Sequence, residues 1–216
     1  MKPAEDPNID YKALVQRGYD ACAEEYEAAR REMSEPRLEA ISSRLQDGAR
    51  VLDIGCGAGV PVAKCLSERS QVTGVDLSAE QVRRARVNVP GGMFLQADIM
   101  DMEFREASFD AVVSFYAIFH LPRDEHPALL EKIFTWLKPG GYLLATLSSE
   151  PESSYTEDDF FGVRMYWSNL GLQGYLELLE GMGFLMLDST VIGHGYGEDA
   201  AAEPEQHPLV FVQKRY

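Results

Sequence analysis

The 216-residue chain has three cysteines, no run of lysine and arginine, and no apolar stretch long enough for a membrane span. Each shortage excludes something. Cys22, Cys56 and Cys65 are an odd, scattered set, which suits a reducing compartment and not a disulfide framework. Twenty Lys and Arg against 35 Asp and Glu leave a formal charge of −15, so phosphate backbones and anionic membrane surfaces repel the chain. Nucleic acid and membrane are therefore not expected as partners. The densest basic stretch, Arg83-Arg84-Ala85-Arg86, has the spacing of a solvated helix face. The opening Met1-Lys2-Pro3-Ala4-Glu5-Asp6 lacks the apolar core of a signal peptide, so the expected location is cytoplasmic. No His, Cys and carboxylate cluster has ligand spacing, and no metal is expected.

What is present is the composition of a folded domain, with 45% hydrophobic and 25% charged residues. Val51-Leu52-Asp53-Ile54 predicts a strand, as do 71–76, 93–98, 109–115 and 142–147. Helical patterns lie between them. One carries Leu129, Leu130, Ile133, Phe134 and Leu137 on a single face and closes at Lys138-Pro139-Gly140-Gly141. Another opens at Ser78, with Gln81 expected to reach back in a capping box. Strands alternating with helices predict βαβ units and a parallel sheet covered on both faces.

The ends differ from this middle. Residues 9–45 read as helix, with Leu14, Tyr19, Cys22, Ala23 and Tyr26 facing inward. Ser148 to Gly171 reads as irregular, acidic and aromatic, followed by a helix over 175–182. Two last strands, 184–191 and 209–214, are separated by Ile192 to His207, a connection longer than the roughly 2–5 residues of plain hairpins. The expected organisation is a helical lid over 1–45 and a ligand-binding domain over 46–216, with insertions at 148–171 and 192–207.

The chemistry concentrates after the first strand. Asp53-Ile54-Gly55-Cys56-Gly57-Ala58-Gly59 joins a strand to a helix start, where glycines let the backbone approach a ligand and N–H groups are unpaired. Asp76 ends the next strand, positioned to accept hydrogen bonds from both ribose hydroxyls. Asp98-Ile99 ends the third, a carboxylate and an apolar side chain suited to the edge and face of an adenine. A nicotinamide fingerprint would need a small residue where Val60 stands, and no Gly-Lys-Ser/Thr follows to make a P-loop. An acid ahead of the first glycine suits a cofactor bearing an amino group, and Asp53 supplies it.

Val51 to Gly59 resembles the signature of class I S-adenosylmethionine-dependent methyltransferases, of the small-molecule type 11/25-like branch. Gly74-Val75-Asp76-Leu77-Ser78, Gln96-Ala97-Asp98-Ile99, Phe109 to Ser114 and Leu137 to Leu144 follow in the family's order, and Tyr19 to Tyr26 resembles its N-terminal helix. The resemblance implies a Rossmann-like fold: a seven-stranded, mostly parallel sheet with a reversed last strand, helices on both faces and a helical lid. It implies S-adenosylmethionine as cofactor and S-adenosylhomocysteine as product. Asp53, Gly55, Cys56 and Gly57 would meet the methionine part, Asp76 the ribose, and Leu77, Asp98 and Ile99 the adenine. Ser114 and Phe115 would line the floor near the sulfonium, and Tyr19 and Tyr26 would close over the methionine carboxylate.

A weakly nucleophilic acceptor requires a base. His120 follows the fourth strand on the crevice side of the sheet and is the first candidate. His194, on the long last connection, is the second, whereas His126 and His207 each precede a proline and read as structural or exposed. The expected partner is a small-molecule acceptor, aromatic or amine-bearing, with oxygen, nitrogen, sulfur and carbon all open, and the expected assembly is a monomer or homodimer. Two alternatives stand beside this: a non-catalytic cofactor-binding module, and a protein methyltransferase. The second would carry an Asn-Pro-Pro-Tyr type of tetrapeptide where this chain has Ser114-Phe115-Tyr116-Ala117.

Overall fold

A computed structural model describes residues 9–31, 38–194 and 205–215. Two helices, α1 (Tyr11–Ala21) and α2 (Ala23–Arg31), come first, and a short α3 (Leu38–Ser42) leads into the sheet. Asp10 caps α1, its carboxylate accepting from Ala13 N at 2.9 Å. The alternation then runs β1 (Ala49–Ile54), α4 (Val62–Leu66), β2 (Ser70–Asp76), α5 (Ala79–Asn88), β3 (Met93–Gln96) and β4 (Phe109–Ser114). It continues through α6 (His126–Trp136), β5 (Leu137–Thr146), β6 (Pro151–Phe160), β7 (Val163–Leu170) and α7 (Gly171–Gly181). The last strands are β8 (Phe184–His194) and β9 (Glu205–Lys214). Seven strands form one sheet in the order β3-β2-β1-β4-β5-β9-β8. The pairs from β3 to β5 are parallel, and β9 runs antiparallel to both of its neighbours.

Strand alternation sends successive side chains to opposite faces. Val51, Val72 and Val113 join Val82, Ala85 and Phe94 on one side, while Leu52, Ile54 and Val112 meet Leu129, Ile133 and Trp136 on the other. The expected α6 stripe is real: Leu129, Leu130 and Ile133 are at most 1% exposed, each worth about 1.5–3 kcal/mol of burial. Its end differs from the expectation. The helix hands directly to β5 at Leu137, so Pro139-Gly140-Gly141 lies inside the strand, where a register shift against β4 between Phe109 and Ala111 accommodates it.

The stretch expected to be irregular is a hairpin. β6 and β7 pair antiparallel through a two-residue turn, Phe161-Gly162, with φ of 52° and 75°. Two positive φ values give the mirror-image turn whose twist matches paired strands. The hairpin packs on α1, where Val15, Met165 and Tyr166 are buried together. Gly18 permits that contact, because a Cβ there would stand 2.8 Å from Met165 Cε. The helix expected over 175–182 begins earlier, at Gly171. Of the connection expected at 192–207, Ile192 to His194 extend β8 and Glu205 onward belongs to β9; 195–204 lie outside the described residues. Among the described residues, no helix is long and apolar enough to cross a membrane.

His126 is fully buried between α6 and α7. A carbonyl can only accept, so Nε2 carries the proton toward Leu121 O at 3.0 Å, and Nδ1 accepts from the Tyr175 hydroxyl at 2.8 Å. Burial pushes the imidazole down from 6.5 to about 4. The unfolded chain protonates this group near 6.5 and the folded chain does not, so its stabilising contribution is lost as pH falls across that window. Tyr175→Phe leaves Nδ1 without its donor and is expected to cost about 1–3 kcal/mol in urea unfolding at pH 7.5. An unchanged midpoint would mean that the pair carries no net stabilisation.

Candidate functional site

The strand order reverses at β1, which has β2 on one side and β4 on the other. The chain leaves these strand ends in opposite directions and opens a crevice at their carboxyl edge. The loop from Gly55 to Gly59 enters it. Gly55 has φ 68°, and a Cβ there would collide with that of Ala117, so only glycine fits. One carboxylate ties this loop to the next strand: Asp76 Oδ2 accepts from Gly57 N at 2.8 Å, and its Oδ1 accepts from Ser78 N at 2.9 Å.

Two adjoining cavities fill the crevice. The larger has about 740 Å³ of empty space, open solvent at its mouth included. Gly57, Asp76, Leu77, Asp98 and Ile99 line its strand-end side, and α1 covers it with Lys12, Val15, Gln16 and Tyr19. Phe115, Tyr116, Ala117 and His120 also border it. The smaller, about 380 Å³, is lined by Asp53, Cys56, Glu27 and Arg30, and shares Tyr26, Gly55, Gly57 and Phe115 with the first. The residues assigned to the cofactor in the sequence, and His120, therefore converge here, with one exception. Ser114 reaches neither cavity: it is fully buried, and its hydroxyl donates to Ile54 O at 3.1 Å.

The crevice also recruits residues that the sequence had not singled out. Arg30, 5% exposed, comes from α2 and lies with its guanidinium carbon 4.5 Å above the Tyr116 ring. Lys12 comes from α1. Gln81 does not close a capping box. Ser78 Oγ accepts from Gln81 N at 3.1 Å as expected, but the Gln81 amide is buried against the larger cavity with no hydrogen-bond partner among the described residues.

Asp53 is 1% exposed and its Oδ2 has no hydrogen-bond partner either. Burial, with Asp76 nearby, pushes its pKa up to about 7, and Arg30 pulls the other way. Burial also raises Asp76 to about 6, against the backbone donors of Ser78, Gly57 and Leu77 that favour its charge. Cys56 is raised far above the usual thiol range by burial and by Asp76 and Asp53, so it is no nucleophile. A buried acid and a buried amide left open beside a glycine cradle, with two further carboxylates at successive strand ends, fit a ligand rich in hydroxyl and amino groups. S-adenosylmethionine is such a ligand.

His120 is 7% exposed, between α1 and β7. Its Nδ1 lies 2.7 Å from Tyr166 O, which can only accept, so Nδ1 carries the proton and Nε2 is the basic nitrogen. The Tyr19 hydroxyl donates to that Nε2 at 2.8 Å. Trp167 lies 5.5 Å from the imidazole between ring centroids, stacked on Tyr155. The backbone of His194 ends β8, and its side chain lies outside the described residues. His207 stacks on Phe119 with centroids 5.3 Å apart.

Asp53 gives a prediction with a definite sign. Its pKa is raised from 3.8 to about 7, so the ligand-free fold loses stability as pH rises through that window. Asp53→Asn removes the penalty. Its gain in unfolding free energy should be larger at pH 8 than at pH 5 by about 2–3 kcal/mol. Equal gains at both pH values would mean that Asp53 titrates normally.

Comparison with known proteins agrees with the geometry. Residues 51–141 match the family described as "Methyltransferase domain". The ubiquinone biosynthesis O-methyltransferase of Xanthomonas axonopodis pv. citri (strain 306) is 38% identical over 122 residues, 53% of this chain and 50% of that protein. The phosphoethanolamine N-methyltransferase of Plasmodium falciparum (isolate 3D7) is 30% identical over 149 residues, 65% of this chain and 55% of that protein. The chain thus spans about half the length of these curated relatives. In fold it is similar to Burkholderia thailandensis 1,6-didemethyltoxoflavin-N1-methyltransferase, solved with 1,6-didemethyltoxoflavin and S-adenosylhomocysteine bound; the TM-score is 0.71 at 20% identity, covering 100% of this chain and 93% of that one. Residues 51–141 are thus similar to the methyltransferase-domain family, and that stretch holds the switch in strand order, the glycine cradle and its strand-end acids.

Proposed function

We propose that the chain transfers a methyl group from S-adenosylmethionine to a small molecule whose accepting group must first lose a proton, a hydroxyl or an ammonium. The bound cofactor supplies a methyl on a sulfonium, already activated for in-line displacement. Asp76 accepts from the ribose hydroxyls, and Asp98 and Ile99 receive the adenine. Asp53 and Arg30 form a matched acid and base for the amino and carboxylate groups of the methionine part, with Tyr26 above them. Helices α1 and α2 serve as the lid within residues 1–45, over a cofactor-binding body at 46–216. A cytoplasmic monomer or homodimer goes with this reading.

The observation that carries the proposal is the His120–Tyr19 pair, 2.8 Å apart in the wall of the larger cavity. The Tyr166 carbonyl fixes the imidazole tautomer, so Nε2 accepts from the Tyr19 hydroxyl and can take the acceptor's proton by relay through the Tyr19 oxygen. A general base contributes typically 10²–10⁴-fold, the scale expected of this pair. Aromatic side chains surround it. Phe160 lies 6.0 Å from Tyr19, 6.0 Å from Tyr26 and 5.4 Å from Trp167 between ring centroids, walls suited to a flat acceptor. Lys12 is the one lysine or arginine among the described residues lining the larger cavity, so an anionic acceptor has little to bind it there. The relatives named above act on oxygen and on nitrogen, which supports both acceptor atoms.

The test is a product-coupled assay over a panel of phenols, catechols and aromatic amines. His120→Gln should lower kcat by about 10²-fold or more and remove the acid limb of the pH profile, with S-adenosylhomocysteine affinity in calorimetry within about twofold of the parent. A variant that turns over normally on the substrates the parent accepts would overturn the assignment. Failure of the unaltered chain to bind S-adenosylhomocysteine would overturn the cofactor reading itself.

A further inference from the structure

Lys12 stands on the lid helix, yet it is tied to the strand-end side of the crevice. Its Nζ lies 2.7 Å from Asp98 Oδ2 and 2.6 Å from Glu125 Oε2, with the three side chains 20–31% exposed. The other oxygen of Asp98 is also committed, since Oδ1 accepts from Met100 N at 2.9 Å. Backbone on one side and Lys12 on the other thus fix the plane of the Asp98 carboxylate. Both residues line the larger cavity beside Ala97, Ile99 and Leu77. Burial works against the Lys12 charge, but hydrogen bonds to the two carboxylates outweigh it and hold its pKa above the usual lysine value.

Tyr19 lies seven residues on along the same helix, two turns or about 10 Å away, and lines the same cavity. A single rigid element therefore touches Asp98 and His120 together. Without Lys12, Asp98 and Glu125 would be left as neighbouring carboxylates with no cation between them, and Asp98 would be held by Met100 N alone.

We propose that Lys12 is a positioning residue of the base pocket: from the lid, it orients Asp98 so that the 6-amino group of a purine is read only when α1 lies across the crevice. This rests on the cofactor reading above and goes beyond it, because it makes base discrimination depend on the lid and not on the strand end alone. A carboxylate locked in one plane accepts from an amino group and repels the oxygen of a 6-oxo purine. A site built around such a hydrogen bond rejects the analogue that lacks it far more strongly than shape alone would.

The test compares S-adenosylhomocysteine with S-inosylhomocysteine, whose base carries the 6-oxo group, by titration calorimetry. The unaltered chain should prefer the adenosyl compound by about 100-fold or more. Lys12→Met should collapse the preference below about tenfold, and Lys12→Arg should restore most of it. Thermal melting and circular dichroism of each variant check that the fold is retained. A Lys12→Met chain that weakens both ligands equally and keeps the full preference overturns the proposal, since Lys12 would then only clamp the lid. A folded Lys12→Arg chain with no recovery overturns it as well. Failure of the unaltered chain to bind S-adenosylhomocysteine would instead sink the cofactor reading, and this inference with it.

Discussion

The crevice hangs on one carboxylate. Asp76 accepts from the backbone of the glycine loop with one oxygen and from the backbone ahead of α5 with the other. These two bonds hold the exit of β1, the exit of β2 and the start of α5 in a single arrangement. The cost is visible in the same residue, since burial lifts its pKa to about 6 despite both donors. A half-buried acid with a raised pKa is tolerated where a ligand's own donors complete its surroundings. The domain therefore keeps its most constrained and least satisfied groups in one place.

Helices α1 and α2 are joined to the rest of the domain by polar groups at several points, on α5 as well as at Asp98. Asp20 accepts from Ser78 Oγ at 2.5 Å and from Glu80 N at 3.1 Å. Glu27, nearly buried, accepts from Arg84 at 3.0 Å and from Asn88 at 2.9 Å, and Asn88 also donates to Ala58 O in the glycine loop. Two acids spaced i and i+7, one on α1 and one on α2, thus meet successive turns of α5. The Glu27 carboxylate and the Ser78 hydroxyl are buried, so removing either one's partner costs more than breaking a surface ion pair. The apolar contacts between α1 and the hairpin give α1 a drier side.

How much of this was legible in the sequence follows from where each constraint acts. The glycine loop, Asp76 and Asp98-Ile99 were readable because a strand, a tight turn and a helix start impose their demands within a few residues. The parallel sheet followed from the alternation of periods, whereas its seven strands with a reversed last one followed from the family resemblance. Ser114 was misread by one position: in a strand each residue faces opposite to its neighbour, and Phe115 reaches the crevice while Ser114 turns to Ile54 O. The hairpin escaped because acidic residues crowd β6, although Phe161-Gly162 carried the signal of its turn. Lys12 and Arg30 could not have been found by spacing. Each sits on a polar helix, and only the docking of α1 and α2 decides which of their cations turns inward.

One topological feature bears on how the chain is made. β9 follows every other strand in sequence but lies inside the sheet, between β5 and β8. During synthesis, the edge of β5 and the whole of β8 wait without a hydrogen-bonded neighbour until β9 has emerged from the ribosome. At about 5–20 residues per second the wait lasts on the order of seconds, long compared with the collapse of the segments already made. The half of the sheet that carries the crevice has its strands in hand before that moment, whereas the other half has an apolar edge exposed to anything nearby. A nascent chain of this topology is most exposed to misassociation just before β9 joins the sheet.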